Sequence, residues 1–548
     1  MTNWSSEQAS IFEWFNTSYV ADGKDEPGNL APRSMSRNLV VRARAGTGKT
    51  TTIIEGVNRA PERAILLAAF NKSIAVELQK RLNNPRCEAK TLHGLGCKYV
   101  MQNWKPQIVD DGSRADGLTT KVCPDDAPRA ILRLVTQLHN KAREITPFTA
   151  IKGRPSDLVD LAIRFDLVPD DEYEPQGYNL NRVCELAFAA MKLAMERTKI
   201  IDFSDMIFLP LVHNWVRPWA QLVVVDEAQD MTAAQLELAI RSCTKTGRIC
   251  VVGDDRQAIY GFRGADSDSL DRLKRRLDAR ELGLTTTYRC ATNIVNLARH
   301  IVPDFRAAPG APAGEIANCD LDKLLSTARE GDFILSRTNA PLVRVCMALL
   351  KQGRRARIKG RDIGKGVAAL IRKLSSSNIP DLLEALNGHV QREVERAMKL
   401  PENAQEERIQ FISDQAEIIR ELSEGCVGIA DLQARVTDLF SDDAERQAIM
   451  CSSVHKAKGL EASTAFLLEG TFRKGHREED NLRYVAITRA KTRMVWVSGF
   501  GKDKKVIDPQ SLVKETAPAV AAKLGITENV VNMLVTDSDL PDPALDNN

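Results

Sequence analysis

Four short apolar, β-branched runs, Leu39–Val41, Ile65–Ala69, Leu222–Val225 and Ile249–Val252, each give way to polar or glycine-rich residues. That pattern predicts buried parallel strands with working loops at their carboxyl ends. Helix-spaced apolar positions follow the first two runs, over Thr50–Asn58 and Ser73–Leu82. The alternation predicts an open α/β sheet with crossover helices. From about Lys98 to Lys199 helical periodicity dominates, as in Ala130–Glu144 and Asn181–Arg197, around a polar loop at Asp170–Tyr178. A second α/β pattern opens near Leu282, with strands expected at Asp332–Leu335, Ala465–Leu468 and Met494–Val497. A charged helical stretch from about Lys365 to Arg446 interrupts it.

These patterns divide the chain into a first parallel-sheet lobe (1–98 and 200–281) with a helical insertion (99–199), and a second lobe (282–364 and 447–505) with a short helical insertion (365–446). A tail (506–548) follows, its acidic, proline-containing end Asp537–Asn548 expected to be disordered. No internal repeat is evident.

Composition narrows the function classes. The 548 residues carry 76 Lys+Arg against 73 Asp+Glu, a net +3, so any polyanion must be bound by local patches rather than bulk charge. With 43% hydrophobic and 27% charged residues, the chain is not disordered throughout. Its 11 cysteines form no C-x-x-C pair, which argues against a zinc ribbon and for free thiols in a reducing compartment. The N-terminus lacks the basic-then-apolar pattern of a signal peptide, and no apolar run approaches the ~20 residues of a membrane span. A soluble cytoplasmic protein with no membrane partner is expected.

Two motifs carry chemistry. Ala43–Thr50 reads A-R-A-G-T-G-K-T between an apolar strand and a helix. Glycines there let backbone N–H groups wrap phosphate oxygens, Lys49 reaches the β- and γ-phosphates, and the Thr50 hydroxyl suits Mg²⁺. The plainer reading is a glycine-rich turn with no ligand. Leu222–Asp230 reads L-V-V-V-D-E-A-Q-D. Two carboxylates at a buried strand end are costly unless a cation uses them. Asp226 holding Mg²⁺ and Glu227 orienting a water would use both. The alternative is a helix start capped by Asp226 or Asp230.

With these motifs on the page, the chain resembles the UvrD/Rep family of superfamily 1 DNA helicases. Ser5–Phe12 is similar to the family's N-terminal glutamine motif, Gly46–Thr51 to its phosphate loop, Phe70–Arg81 to the next motif, Thr91–Gly94 to a short T-x-H element and Ile201–Ile207 to a D-F-x-D-L segment. Val252–Ala265 (V-G-D-D-R-Q-A-I-Y-G-F-R-G-A), Thr286–Cys290 (T-T-Y-R-C), Ser336–Asn339 (S-R-T-N), Val454–Glu461 (V-H-K-A-K-G-L-E) and Tyr484–Lys491 (Y-V-A-I-T-R-A-K) continue the series in the family's order. Two departures are visible. N-K-S replaces the usual T-N-K after Phe70, and Phe262 stands where Trp is common.

The resemblance implies two RecA-like motor domains and an ATP-dependent helicase using Mg²⁺. It implies nucleotide contacts from Gln8 (adenine), Ala45, Gly46, Thr47, Gly48, Lys49, Thr50, Thr51, Arg81, Tyr288 (stacking on adenine) and Glu461 (ribose). It further implies Gln257 and Arg289 at the γ-phosphate, Arg489 as an arginine finger, and DNA contacts from Phe70, Thr91, His93, Tyr260, Phe262, Arg263 and His455. The implied partners are single-stranded DNA and single-strand/duplex junctions, with 3′ to 5′ movement and a role in repair, replication or defence, alone or beside a protein partner. Two other readings stay open: a motor subunit of a nuclease or defence complex, and a non-unwinding DNA-stimulated ATPase that displaces bound proteins. Core packing remains the alternative for Tyr260 and Phe262. Of two basic runs, Lys351–Arg361 has six cations and no acid and suits a phosphate track, whereas Arg272–Arg280, with five cations and one acid, reads as a solvated face.

Overall fold

The computed structural model describes residues 4–17, 36–169, 171–259, 269–398, 402–440, 448–472 and 477–500. Tyr260, Phe262, Arg263 and the tail 506–548 lie outside them. Twelve strands, numbered here in chain order, build two six-stranded sheets in which every pairing is parallel. The first sheet holds β1 (Leu39–Ala43), β2 (Ile65–Ala69), β3 (Cys87–Thr91), β4 (Ala220–Val225), β5 (Cys243–Gly253) and β6 (Arg280–Leu284), in the order β3-β2-β4-β5-β1-β6. The second holds β7 (Glu315–Cys319), β8 (Phe333–Ser336), β9 (Ala356–Lys359), β10 (Ile449–Ser453), β11 (Ala462–Leu468) and β12 (Ala490–Val497), in the order β7-β12-β11-β8-β10-β9. The chain is therefore α/β, with two RecA-like parallel-sheet lobes.

The central strands are buried on both faces, which is why they read as unbroken apolar runs rather than alternating ones. The observed strands exceed the expected runs at polar ends. β5 begins six residues before Ile249, because Cys243 pairs with Ala220 ahead of the apolar stretch. β6 pairs along β1 from Leu39 to Ala43, so the last strand of the first sheet straddles the 281/282 division read from sequence.

Side-chain caps fix the helix starts. Asn71 Oδ1 accepts from the Ile74 N–H at 2.9 Å, which gives the N-K-S departure a local role: it starts helix Lys72–Arg81. Between β3 and β4 a helical insertion packs around Val135, Leu138, Val183 and Leu186. Buried Arg143 and Arg114 tie it to Asp205, which begins helix Phe203–Val212 together with its cap Asp202. The second insertion comprises helices Arg361–Leu374, Ile379–Ala397, Glu402–Ser423 and Ile429–Leu439. Its Leu386, Ile418, Leu422 and Val436 join the same apolar cluster as Ile358 and Cys451 of the second sheet. No helix among the described residues is long and apolar enough to cross a membrane.

Candidate active site between the two sheets

Parallel pairing puts the carboxyl ends of β1, β4 and β5 on one edge, since Arg42 registers with Gly253 and Val225 with Val251. Loops 44–48, 226–230 and 254–258 therefore emerge side by side. Past β1 the backbone turns with left-handed φ at Gly46 (68°) and Gly48 (78°). Gly46 is also demanded by space, because a Cβ there would lie 2.4 Å from Arg289 Cβ. No side chain caps helix Lys49–Arg59 at Gly48, so its first-turn N–H groups suit an anion. The Thr47 hydroxyl donates to the Arg44 carbonyl at 2.9 Å, and Arg81 donates to the Thr51 hydroxyl at 3.2 Å.

Lys49 Nζ lies 3.0 Å from Glu227 Oε2. Burial works against its charge, but Glu227, Asp254 and Asp226 more than offset that and raise its pKa. Glu227 itself has φ 51°, a left-handed conformation that costs a non-glycine residue on the order of 1 kcal/mol. Its carboxylate is held by Lys49 and by Gln229 Nε2 at 2.6 Å. Burial and the neighbouring Glu227 charge push Asp226 up. Glu227 goes the other way: burial opposes ionisation, yet Lys49 and Lys458 keep it a carboxylate. A network continues below. Gln229 Oε1 accepts from the Asp254 N–H at 3.1 Å, and Gln257 Nε2 donates to Asp254 Oδ2 at 2.7 Å.

Asp226 and Thr50 offer the hard oxygen donors that Mg²⁺ takes. Among the described residues no group of three or more His, Cys, Asp or Glu could hold a metal alone. The Asp226 carboxyl is buried and its pKa is raised by burial and by Glu227 despite Lys49, a place where a cation would favour the carboxylate.

The second sheet presents the amino ends of β11 and β12, where Glu461 and Arg489 precede the paired Ala462 and Ala490. Arg289 Nε is 2.5 Å from Glu461 Oε2, and Lys491 meets the same carboxylate at 2.7 Å. The Tyr288 N–H donates to the Gly46 carbonyl at 2.9 Å while its ring is 55% exposed. Arg489 is buried, donating to the carbonyls of Val485 and Leu460, both at 2.9 Å. Burial and then Arg289's charge lower its pKa to about 10.

Four further contacts join the lobes here. The Ala45 N–H donates to Tyr484 Oη at 2.9 Å. Arg44 pairs with Asp304 at 3.0 Å while also holding Asp254 and Asp255. Lys458 Nζ reaches Asp230 at 2.6 and 2.7 Å and the Gln257 carbonyl at 2.6 Å. Asn481 Nδ2 donates to the carbonyls of Asp255 and Ala258 at 3.3 and 3.2 Å.

The structure thus brings Lys49, Asp226, Glu227, Gln257, Arg289 and Glu461 around one loop, with Arg489 behind Arg289. Gln8 lies beside Gly48, but its amide is engaged: Oε1 accepts from the Ser5 N–H at 3.0 Å and Nε2 donates to Thr52 Oγ1 at 3.1 Å. Elsewhere, Thr91 caps helix Leu92–Asn103 through the Gly94 N–H, and burial lowers the His93 pKa. Phe70 is half-buried just past β2, and His455 lies in the short helix after β10. Sequence reasoning missed Arg44, Lys458, Asn481 and Phe203. Phe203, 53% exposed, meets His93 edge-on at 6.0 Å. An exposed aromatic inside the D-F-S-D segment was the available signal.

The family model described as the UvrD/REP helicase N-terminal domain matches residues 26–278, and that of the UvrD-like helicase C-terminal domain matches residues 448–497. The chain belongs to the UvrD/Rep-like superfamily 1 helicases. Similar proteins include the probable DNA helicase II homolog of Mycoplasma pneumoniae, 26% identical over 300 residues (50% of this chain, 41% of that protein). DNA helicase II of Escherichia coli is 22% identical over 309 residues, 52% of this chain and 41% of that protein. ATP-dependent DNA helicase PcrA of Staphylococcus epidermidis is 23% identical over 296 residues, 50% and 39% respectively. The matched segment spans about two fifths of these UvrD/Rep-like relatives.

Proposed function

We propose that the chain is an ATP-driven motor that moves on single-stranded DNA, 3′ to 5′ by family likeness, and separates duplex strands. The observation that carries this reading is the seating of Arg289 against Gly46, which puts a second-lobe cation on the loop that bears Lys49. Phosphoanhydride hydrolysis depends mostly on positioning and charge neutralisation. Lys49, Arg289 and Arg489 supply positive charge from both lobes, and arginine's fork suits phosphate oxygens. Glu227, kept ionised, accepts the proton of the water that attacks the γ-phosphorus, and ADP leaves with the bridging oxygen. Lys49 must first exchange Glu227 for phosphate. Thr50 and Asp226 would hold Mg²⁺, which neutralises phosphate charge when bound. Tyr288 and Gln8 flank the base, Glu461 the ribose, and Arg81 supports the loop through Thr51. Phe70, Thr91, His93 and Phe203 form the strand-facing surface, with roles for Tyr260, Phe262, Arg263 and His455 resting on the resemblance. Aromatic stacking tolerates any base sequence.

The test is ATP hydrolysis with and without single-stranded DNA, beside unwinding of 3′-tailed and 5′-tailed duplexes. DNA-stimulated turnover and preference for the 3′ tail are expected. A rate that ignores DNA would sink the motor reading. Movement without strand separation would favour the protein-displacing ATPase, and unwinding only in the presence of another chain would favour the subunit reading. Glu227→Gln should still bind ATP while turnover falls about 100-fold or more; normal turnover would remove Glu227 as the base.

A further inference from the structure

We infer that Asn481 and Lys458 are positioning residues that clamp the Gln257 turn of the first lobe, setting Gln257 and Arg489 in register for the same γ-phosphate. The inference rests on the function proposed above. Its geometric basis is the convergence of two second-lobe side chains on one stretch of first-lobe backbone. Asn481 Nδ2 takes the carbonyls of Asp255 and Ala258, and Lys458 Nζ takes that of Gln257 between them. The grip is on main-chain oxygens, so it fixes the path of the turn and leaves the Gln257 side chain to its Asp254 partner. Lys458 is anchored a second time on the buried Asp230 carboxylate. Both gripping residues travel with second-lobe catalytic groups. Asn481 lies in helix Arg477–Ile487, which leads to Arg489, and Lys458 is three residues before Glu461. A shift of the second lobe is thereby handed to the turn bearing Gln257.

Asn481 is 1% exposed, and its Oδ1 has no hydrogen-bond partner among the described residues. Only the amide NH₂ works, which makes the test asymmetric. Asn481→Ala removes the donor. Asn481→Asp keeps the shape but turns an acceptor toward two carbonyls, and so should do more harm.

With the full chain and saturating single-stranded DNA, Asn481→Ala should lower kcat for ATP hydrolysis about fivefold, the effect of roughly one buried hydrogen bond, and Asn481→Asp about tenfold or more. KM for ATP should stay within about twofold. In a Gln257→Ala background neither change should lower kcat further, because the clamp acts through that turn. Wild-type kcat in Asn481→Asp, or losses that multiply with Gln257→Ala, would overturn the clamp. Asn481→Ala, run in the same cycle, decides the matter should Asn481→Asp not fold. An inactive wild-type chain would instead count against the motor function itself, and this separates the two failures.

Discussion

His139 is buried with Nε2 3.3 Å from the Ala115 carbonyl, while Nδ1 has no hydrogen-bond partner among the described residues. Burial, reinforced by the Arg143 charge, lowers its pKa to about 3. The unfolded imidazole takes up a proton below its ordinary 6.5, whereas the folded ring resists. Stability from the neutral ring is therefore fully present above pH 6.5 and is lost as pH falls toward 3. Between pH 7 and 5 the loss amounts to about 2 kcal/mol. Urea unfolding of His139→Gln at the two pH values should give a pH difference smaller by about that amount. The same scale explains what sequence could reveal. Lys49, Asp226 and Glu227 were legible because their chemistry follows from neighbours along the chain: glycines before the lysine, four apolar residues before the acids. Asn481 and the Asp304 half of Arg44's pairing were not, because those partners come from the other lobe. Arg44 occupies a position the phosphate-loop pattern leaves open, and its tie to Asp304 exists only once both sheets are built.

At the scale of elements, Asp414 joins the second insertion to the second sheet. Its carboxylate accepts the N–H groups of Asn339 and Ala340 at 2.8–3.0 Å, together with Asn339 Nδ2, at the start of helix Ala340–Lys351. A carboxylate at a helix N-terminus satisfies unpaired donors and complements the dipole. Asp414→Ala should cost about 1–2 kcal/mol of unfolding free energy, measured by urea titration, while Asp414→Asn should recover part of it. Strand cores were readable as apolar runs. The polar start of β5 at Cys243 was not, because its pairing with Ala220 of β4, ahead of an irregularity in register, and not hydrophobicity holds it in the sheet. Asp414 could not be foreseen either: 75 residues separate it from the N–H of Asn339.

Across the whole molecule, the two insertions differ in how they are attached. The first packs its apolar core against helix Phe203–Val212 of the first lobe and is fastened there by buried Arg–Asp pairs, whereas the second shares a core with its sheet. The first insertion's fastening ends at helix Phe203–Val212, whose exposed first residue meets His93 edge-on. Phe203→Ala should weaken binding of a fluorescent oligothymidine about tenfold in anisotropy titrations, the worth of roughly one base–aromatic contact, with little change in unfolding free energy. Unchanged affinity would remove Phe203 from the strand-facing surface. The overall α/β, two-lobe plan was legible because its motifs mark strand ends. The lobe boundary was less so, since β6 belongs to the first sheet while the residues just after it approach Gly46.

Arg489 rests on neutral carbonyls and, among the described residues, makes no ion pair. On the function proposed above, a guanidinium parked this way would have no anionic tether to sever before meeting a polyphosphate and would only exchange weak dipolar contacts for strong ionic ones. Arg289, already bound to Glu461, must give up a carboxylate first. The two arginines should therefore engage in sequence, the unpaired one answering the nucleotide more readily than its partner.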